Sequence, residues 1–393
     1  MKNLYLFTVK FPYTKYAECF LEDEIVYLSK KFDHVIITTL LTEGDEVKPL
    51  PENVTVSHPL FRDKVRFFLR CLFNLRVALK MIPMLFDKSI LTEKIRRQDW
   101  LKAYVTANSL LNSKWVKKIS EKLTHEDVCY FYWGKWSNVL AYFWKGRCHM
   151  VSRFHGADDL WEESHKGFVP LRKEIVSSLD VAIFISKKGE NYFHERYPEC
   201  RTMYFPLGSN DIVYPKHTLS ERIRVLSCST LLVLKRVDLI YQSLLAVEKK
   251  QIEWTHIGDG PKMNDLKKLL KENHSPNIKV NLLGAMSHEE VLNHYAKHNY
   301  DLFINLSISE GVPVSIMEAI SCDIPVVATD VGGNSEIVSF ETGKLVSANP
   351  LPKEVASAIN EVLEGNYAPR QYWERNYCAN INYNAFSDFL SNL

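Results

Sequence analysis

The chain has 393 residues, 46% hydrophobic and 24% charged, with a formal net charge of +2. That composition excludes a disordered, collagenous or disulfide-scaffold protein, and the length favours two domains. No run approaches the roughly 18 apolar residues of a spanning helix. The near-neutral total hides a segregation: residues 1–207 carry a net +7 and residues 208–393 a net −5. The excess gathers in 61–120, with 14 Lys and Arg against 4 Asp and Glu, which points to an anionic partner for the first half. The eight cysteines form no C-x-x-C pair and no zinc-like spacing, and several sit in apolar runs. A reducing, cytoplasmic setting is expected. The opening MKNLYLFTVKFPY lacks the apolar length and cleavage site of a secretory signal.

In chain order, 4–9, 34–40, 128–133, 150–155 and 181–186 read as strands, with a helix over 20–32 between the first two. Residues 60–120 are basic and mostly helical in period. The second half alternates more cleanly. Strands are expected at 224–229, 254–258, 278–284, 302–307, 324–330 and 344–348, with helices at 237–250, 263–273, 288–298, 314–321 and 352–365. Short apolar strands separated by amphipathic helices mean parallel βαβ units, hence an α/β fold with two Rossmann-like domains. The polar stretch 208–222 places the boundary: 1–207 for the first domain and 208–370 for the second.

The stretch DLFINLSISEGVPVSIMEAISCDIPVVATDVGGNSEIV (301–338) carries the most chemistry. Glu310 ends a loop after an apolar strand, and Glu318 lies inside the helix that follows. Gly311 permits close backbone approach, and Pro313 suits a first helical turn. The unpaired amides of a helix start suit phosphate. Eight helical residues span roughly 12 Å, too far for an acid–base pair across one glycosidic bond. The spacing suits the two ends of one long polar ligand, such as a sugar nucleotide. The plainer reading is a carboxylate pair that complements the helix dipole.

EGVPVSIMEA followed by DIPVVATDVGGNSEIV resembles family 4 of the retaining glycosyltransferases. SRFHGADDLWEE (152–163), FISKKG (184–189), LVLKRVDLI (232–240), HIGDGP (256–261) and VNLLGAMSHEEV (280–291) resemble further segments of that family in the same order, and the similarity spans most of the chain. The resemblance implies the GT-B architecture, two Rossmann-like domains with parallel sheets facing across a cleft, with 371–393 crossing back to the first domain. It implies sugar transfer from a nucleotide donor, with retention and without a bound metal or other cofactor. The absence of a D-x-D at a strand end agrees with that.

By the same resemblance His155, Lys235 and Glu310 are the catalytic candidates. His155 would approach the donor sugar, Lys235 would pair with the diphosphate, and Glu310 would hold the sugar. Glu318 would hold the ribose. Gly311, Val312, Pro313 and Val314 would present backbone to the sugar and diphosphate. Gly156 follows the histidine. Gly258 and Gly260 would let the backbone approach the nucleotide, and Ala285 and Met286 would meet the base. Where relatives carry an arginine this chain has Thr230, whose hydroxyl cannot replace a forked cation. Arg236 is the nearby substitute. Arg153 would orient its loop, and Asp158 or Asp159 would either support the residues that touch the donor or serve the acceptor side. The first strand is followed by no Gly-rich turn; Pro12 and Tyr13 stand there instead.

The expected partners are a nucleotide-sugar donor, a UDP-sugar first, and a saccharide or lipid-linked acceptor. Residues 62–86, RDKVRFFLRCLFNLRVALKMIPMLF, mix cations with apolar residues at helical spacing, which suits either an anionic membrane surface on the cytoplasmic side or a first-domain helix with its apolar side in the core and its charges solvated. No nucleic-acid motif accompanies the charge. Two other readings stand beside transfer: a non-catalytic sugar-nucleotide-binding subunit and a GT-B nucleotide-sugar epimerase.

Overall fold

The structure is a computed structural model that describes residues 2–13, 18, 20–41, 46–57, 59–60, 73–156, 160–216, 218, 220–248 and 250–393. Residues 61–72 of the basic stretch, and Asp158 and Asp159, lie outside the described residues. The chain divides into two compact units, one of 1–205 with 383–393, the other of 206–382.

The first unit is a seven-stranded sheet of order β3-β2-β1-β4-β5-β6-β7. Its strands are β1 (Asn3–Thr8), β2 (His34–Thr39), β3 (Val54–Val56), β4 (Val128–Phe131), β5 (His149–Phe154), β6 (Val181–Phe184) and β7 (Thr202–Tyr204). Every pairing is parallel, with Leu4 opposite both Val35 and Val128 at its centre. The sequence reading missed β3 and β7, three-residue edge strands too short to carry a period. The basic stretch is helical where described, mainly over Leu75–Met81, Lys94–Asn112 and Lys114–Lys122.

The second unit is a parallel six-stranded sheet of order β10-β9-β8-β11-β12-β13. It comprises β8 (Ile223–Cys228), β9 (Ile252–Ile257), β10 (Ile278–Gly284), β11 (Leu302–Asn305), β12 (Val326–Thr329) and β13 (Gly343–Val346). Val225, Leu302, Ile304 and Val327 are fully buried at its heart, each worth about 1.5–3 kcal/mol of burial. The helix Val314–Ser321 matches its expected bounds, with Pro313 at the cap just before it rather than in its first turn. The chain runs outward from β8 to β10, then returns to β11 beside β8, so this sheet has its switch point between β8 and β11. In the first sheet the reversal falls between β1 and β4. Ligands of open parallel sheets bind outside the carboxyl ends of the strands at such points.

The C-terminal residues split between the units. The helix Pro369–Asn376 stays with the second: Trp373 Nε1 donates to Ser209 Oγ, and Arg370 Nη1 to the Ser321 carbonyl. So residues 371–382 belong there. In the last helix, Ala379–Ser391, Phe386 and Leu390 join the core of the first unit beside Leu4, Val128 and Tyr130.

A buried ion pair ties three elements of the first unit together. Arg153 on β5 meets Glu24 of the helix Phe20–Ser29, and both side chains are 0% exposed. Tyr130 donates its hydroxyl to the other Glu24 oxygen at 3.1 Å, and the guanidinium lies 4.1 Å from the Phe386 ring. Removing one partner strands the other charge in the core. Glu24→Ala is therefore expected to lower the unfolding free energy by about 3–5 kcal/mol in denaturant titrations, whereas Glu24→Leu combined with Arg153→Met recovers most of it. A double variant as unstable as the single would show that the pair is not what holds these elements.

Candidate functional site

The loops at the switch point of the second sheet bring Lys235 and Glu310 together. Lys235 ends a short 3-10 turn, Val233–Lys235, after β8, and Glu310 ends the loop after β11. Lys235 Nζ lies 2.6 Å from Glu310 Oε1, with the side chains 22% and 9% exposed. The same oxygen accepts from Ser307 Oγ at 2.5 Å and Asn305 Nδ2 at 3.2 Å. All three contacts fall on Oε1, so Oε2 keeps its acceptor capacity. The two loops are also joined through their backbones, Ile308 N donating to the Leu234 carbonyl at 2.7 Å.

Arg236 has a different job from the one its position implies. Its Nε donates to the Leu306 carbonyl, Nη2 to the carbonyls of Ser307 and Ala348, and Nη1 to Asn349 Oδ1. With its donors on these acceptors, it braces the Glu310 loop rather than supplying a second cation. Its own backbone is left-handed (φ 45°) where it caps the helix Val237–Leu245. Thr230 is exposed.

The glycines set distances between loops. A Cβ at Gly258 would stand 1.9 Å from the Ser229 carbonyl oxygen, and one at Gly260 would stand 2.7 Å from that of Leu231. Both let the loop after β9 lie against the loop that leads to Lys235. Sequence reasoning missed Gly332 and Gly333 as part of the site. A Cβ at Gly332 would sit 1.8 Å from the Glu310 carbonyl oxygen, and Gly333 N donates to the Gly311 carbonyl at 2.7 Å. The G-G pair after β12 is the sequence signal for this buttress.

Glu318, 4% exposed in the helix after β11, is held by a residue the sequence did not single out. His288 Nε2 lies 2.8 Å from its Oε1, so the imidazole N–H donates to the carboxylate. His288 opens the helix His288–Tyr295, whose Ser287–Glu290 capping box fixes its start. Both helices lie on one face of the sheet, because both connections run in the same direction across it. Ala285 (exposed) and Met286 (half-buried) follow β10 just before this helix. Val312 and Pro313 are buried, and Gly311 and Val314 half-buried. The amides of Val312 and Val314 have no acceptor among the described residues, which leaves a small cluster of donors beside Glu310.

In the first unit, His155 follows β5 next to Gly156, whose backbone is left-handed (φ 97°). The ring is walled by Tyr132 and Trp133, each 4.6 Å away between centroids. Its Nε2 lies 2.9 Å from the Tyr132 carbonyl, which only accepts, so Nε2 carries the proton and Nδ1 is the acceptor. Burial, reinforced by the charge of Arg153, holds its pKa well below the ordinary imidazole value. It is a neutral ring. Beside it, the loop after β1 folds around Glu18: the amides of Val9, Lys10 and Phe11, and the Trp133 indole, all donate to that carboxylate. Pro12 and Tyr13 continue this loop, and Tyr13 donates its hydroxyl to the Ser57 carbonyl.

Residues 214–385 match the glycosyl transferases group 1 family model, a span that contains every second-unit residue of the site. Protein CapJ of Staphylococcus aureus is 29% identical over 219 residues, 53% of this chain and 52% of that protein, so the chain spans about half the length of this curated relative. Among solved structures, sucrose-phosphate synthase of Thermosynechococcus elongatus has a TM-score of 0.72 at 15% identity, covering 100% of this chain and 99% of that one. Anabaena HepE in complex with UDP has a TM-score of 0.65 at 16% identity, covering 100% of both chains. These likenesses show the fold alone: two parallel α/β sheets arranged in strand order as described above, with solved neighbours of the GT-B class.

Proposed function

We propose that the protein is a retaining glycosyltransferase that moves a sugar from a nucleotide donor, UDP-linked by preference, to a polysaccharide or lipid-linked saccharide, without a bound metal. The observation that carries this reading is the Lys235–Glu310 pair at the switch point, inside the segment that matches the family. The UDP preference leans on HepE, whose structure contains UDP.

In this reading the donor's diphosphate takes Lys235 from Glu310 and lies against the amides of Val312 and Val314. Negative charge grows on the leaving phosphate as the glycosidic bond breaks, and a fixed cation with aimed amides stabilises it there. Glu310, released from the lysine but still held by Ser307 and Asn305, accepts hydrogen bonds from the sugar hydroxyls. Glu318, oriented by His288, takes the ribose diol. The acceptor hydroxyl attacks the face from which the phosphate leaves, and the phosphate oxygen receives its proton. His155, neutral and buried, serves by shape and hydrogen bonding and not by charge. Thr230 contributes at most a hydroxyl, so Lys235 carries the cationic work.

Nucleotide release from UDP-, GDP- and ADP-sugars, in EDTA and with a membrane lipid extract as acceptor, tests this. One donor should show extract-dependent release. Lys235→Ala should slow it by about 10²–10³-fold. Glu318→Ala should weaken donor binding by about 10–100-fold. Wild-type rates in both variants would sink the assignment. Saturable donor binding without release would favour the non-catalytic subunit, and acceptor-independent conversion to a new nucleotide sugar would favour the epimerase.

The membrane partner is also a proposal. In the described part of 62–86, Phe73, Leu75, Leu79, Ile82 and Phe86 are 45–89% exposed, with Arg76 exposed among them. An apolar face with adjoining cations suits an anionic bilayer surface on the cytoplasmic side. Among the described residues no helix is long and apolar enough to cross a membrane. Sedimentation with phosphatidylglycerol vesicles should be strong at low salt, fall as salt rises, and be lost in Leu79→Asp/Phe86→Asp. Equal sedimentation of that variant would remove the face from the account.

A further inference from the structure

At the switch point of the first sheet, the loop after β1 and the residues that follow β4 are held by one carboxylate. Glu18, 6% exposed, accepts from four donors. Val9 N reaches Oε1 at 3.0 Å, and the Trp133 indole donates to the same oxygen. Lys10 N and Phe11 N reach Oε2 at 2.6 and 2.7 Å. Each oxygen thus carries two bonds, and bonds to an ionised acceptor are about twice as strong as neutral ones.

The loop has braces of its own. The Phe11 carbonyl accepts from the hydroxyls of Thr8 and Thr39 at 2.6 and 2.7 Å, and Tyr13 N donates to the Lys10 carbonyl at 2.8 Å. What Glu18 adds is a tie to Trp133, on a different element. It does so from a left-handed backbone (φ 58°). Non-glycine residues rarely adopt that conformation, and it persists where the surroundings impose it.

Trp133 is the end of the tie that bears on chemistry. Its ring stands 4.6 Å from that of His155, between centroids. Phe20, two residues after Glu18, stacks on the same imidazole at 6.0 Å and 25°. Tyr132 is the third ring, 4.6 Å away, and its carbonyl holds Nε2. A neutral imidazole has no charge by which to be placed, so hydrogen bonding and packing against these rings orient it. Two of the three rings take their positions from Glu18. Trp133 does so through its indole N–H. Phe20 does so through the chain, because Leu21 N donates to the Glu18 carbonyl at 3.0 Å where the helix Phe20–Ser29 begins.

We propose that Glu18 is a positioning residue for His155: it ties the loop after β1 to Trp133 and so fixes the aromatic wall against which the imidazole is set. That this serves sugar transfer rests on the transferase reading above; the tie itself does not.

The test compares the whole wild-type protein with Glu18→Gln, Trp133→Phe and the double variant. Glutamine is nearly isosteric, but it offers one acceptor oxygen and one NH2, so two of the four donors meet a donor. Phenylalanine keeps the aromatic wall and loses only the indole bond. Two readouts are taken: kcat and donor KM for nucleotide release, and the 15N resonances of the His155 ring. Glu18→Gln should lower kcat by about 10–100-fold, leave the donor KM nearly unchanged, and shift both His155 nitrogens. Trp133→Phe should do the same to a smaller degree. The double variant should be no slower than Glu18→Gln, because both changes break one tie. Wild-type kcat in folded Glu18→Gln, losses that multiply in the double variant, or unmoved His155 resonances would each overturn the proposal. If Glu18→Gln does not fold, Trp133→Phe decides: wild-type kcat or unmoved His155 resonances in it overturn the tie. If the wild-type protein releases no nucleotide, the transferase reading falls, and the His155 resonances alone judge the tie.

Discussion

A cation and a carboxylate meet where two adjacent loops leave the central strands of the second sheet, and much of that unit serves to keep them there. Lys235 and Glu310 are too exposed to act as core and too enclosed to be an idle surface pair. Ser307 and Asn305 hold the same carboxylate oxygen from the strand side. Arg236 pins the carbonyls of the loop, and Gly332 and Gly333 let the loop after β12 press against the backbone of residues 310 and 311. The carboxylate therefore stays placed when the lysine leaves it. That is the property a donor site needs: a charge that a diphosphate can claim, beside a hydrogen-bond acceptor that does not collapse when it does.

The distribution of charge between the units follows the same logic. In the first unit the His155 ring is walled by aromatics and its Nε2 proton faces a carbonyl, so it stays neutral. The buried Arg153 is neutralised by Glu24 and organises the first unit instead. The anion-seeking amides after β1 are filled by Glu18 from the chain itself. In the second unit Lys235, paired with Glu310 at the switch point, is the cation placed beside the open amides of Val312 and Val314.

Much of this was legible in the sequence, and the gaps have physical causes. The helix at 314–321 announced itself through Pro313, Gly311 and a run of apolar residues, and the alternation of the second half gave its parallel sheet. Local pattern could not reveal β3 or β7, whose three residues form strands only because a longer neighbour lends its edge. Nor could it pair His288 with Glu318, thirty residues away and joined only once both helices lie on one face. Gly258 and Gly260 signalled close approach but not its object, which proved to be neighbouring backbone. Arg236 read as a spare cation because carbonyl acceptors leave no trace in a sequence.

The most direct test of the central claim is calorimetric titration of UDP into the wild-type protein, Lys235→Met and Glu310→Gln. If Glu310 holds the lysine until a diphosphate takes it, Lys235→Met loses at least about tenfold in affinity, roughly 1.4 kcal/mol, while Glu310→Gln binds as tightly as wild type or more so. Equal affinity in Lys235→Met, or a loss in Glu310→Gln as large as in the lysine variant, would contradict the account: the pair would then be a structural ion pair and the phosphates would bind elsewhere.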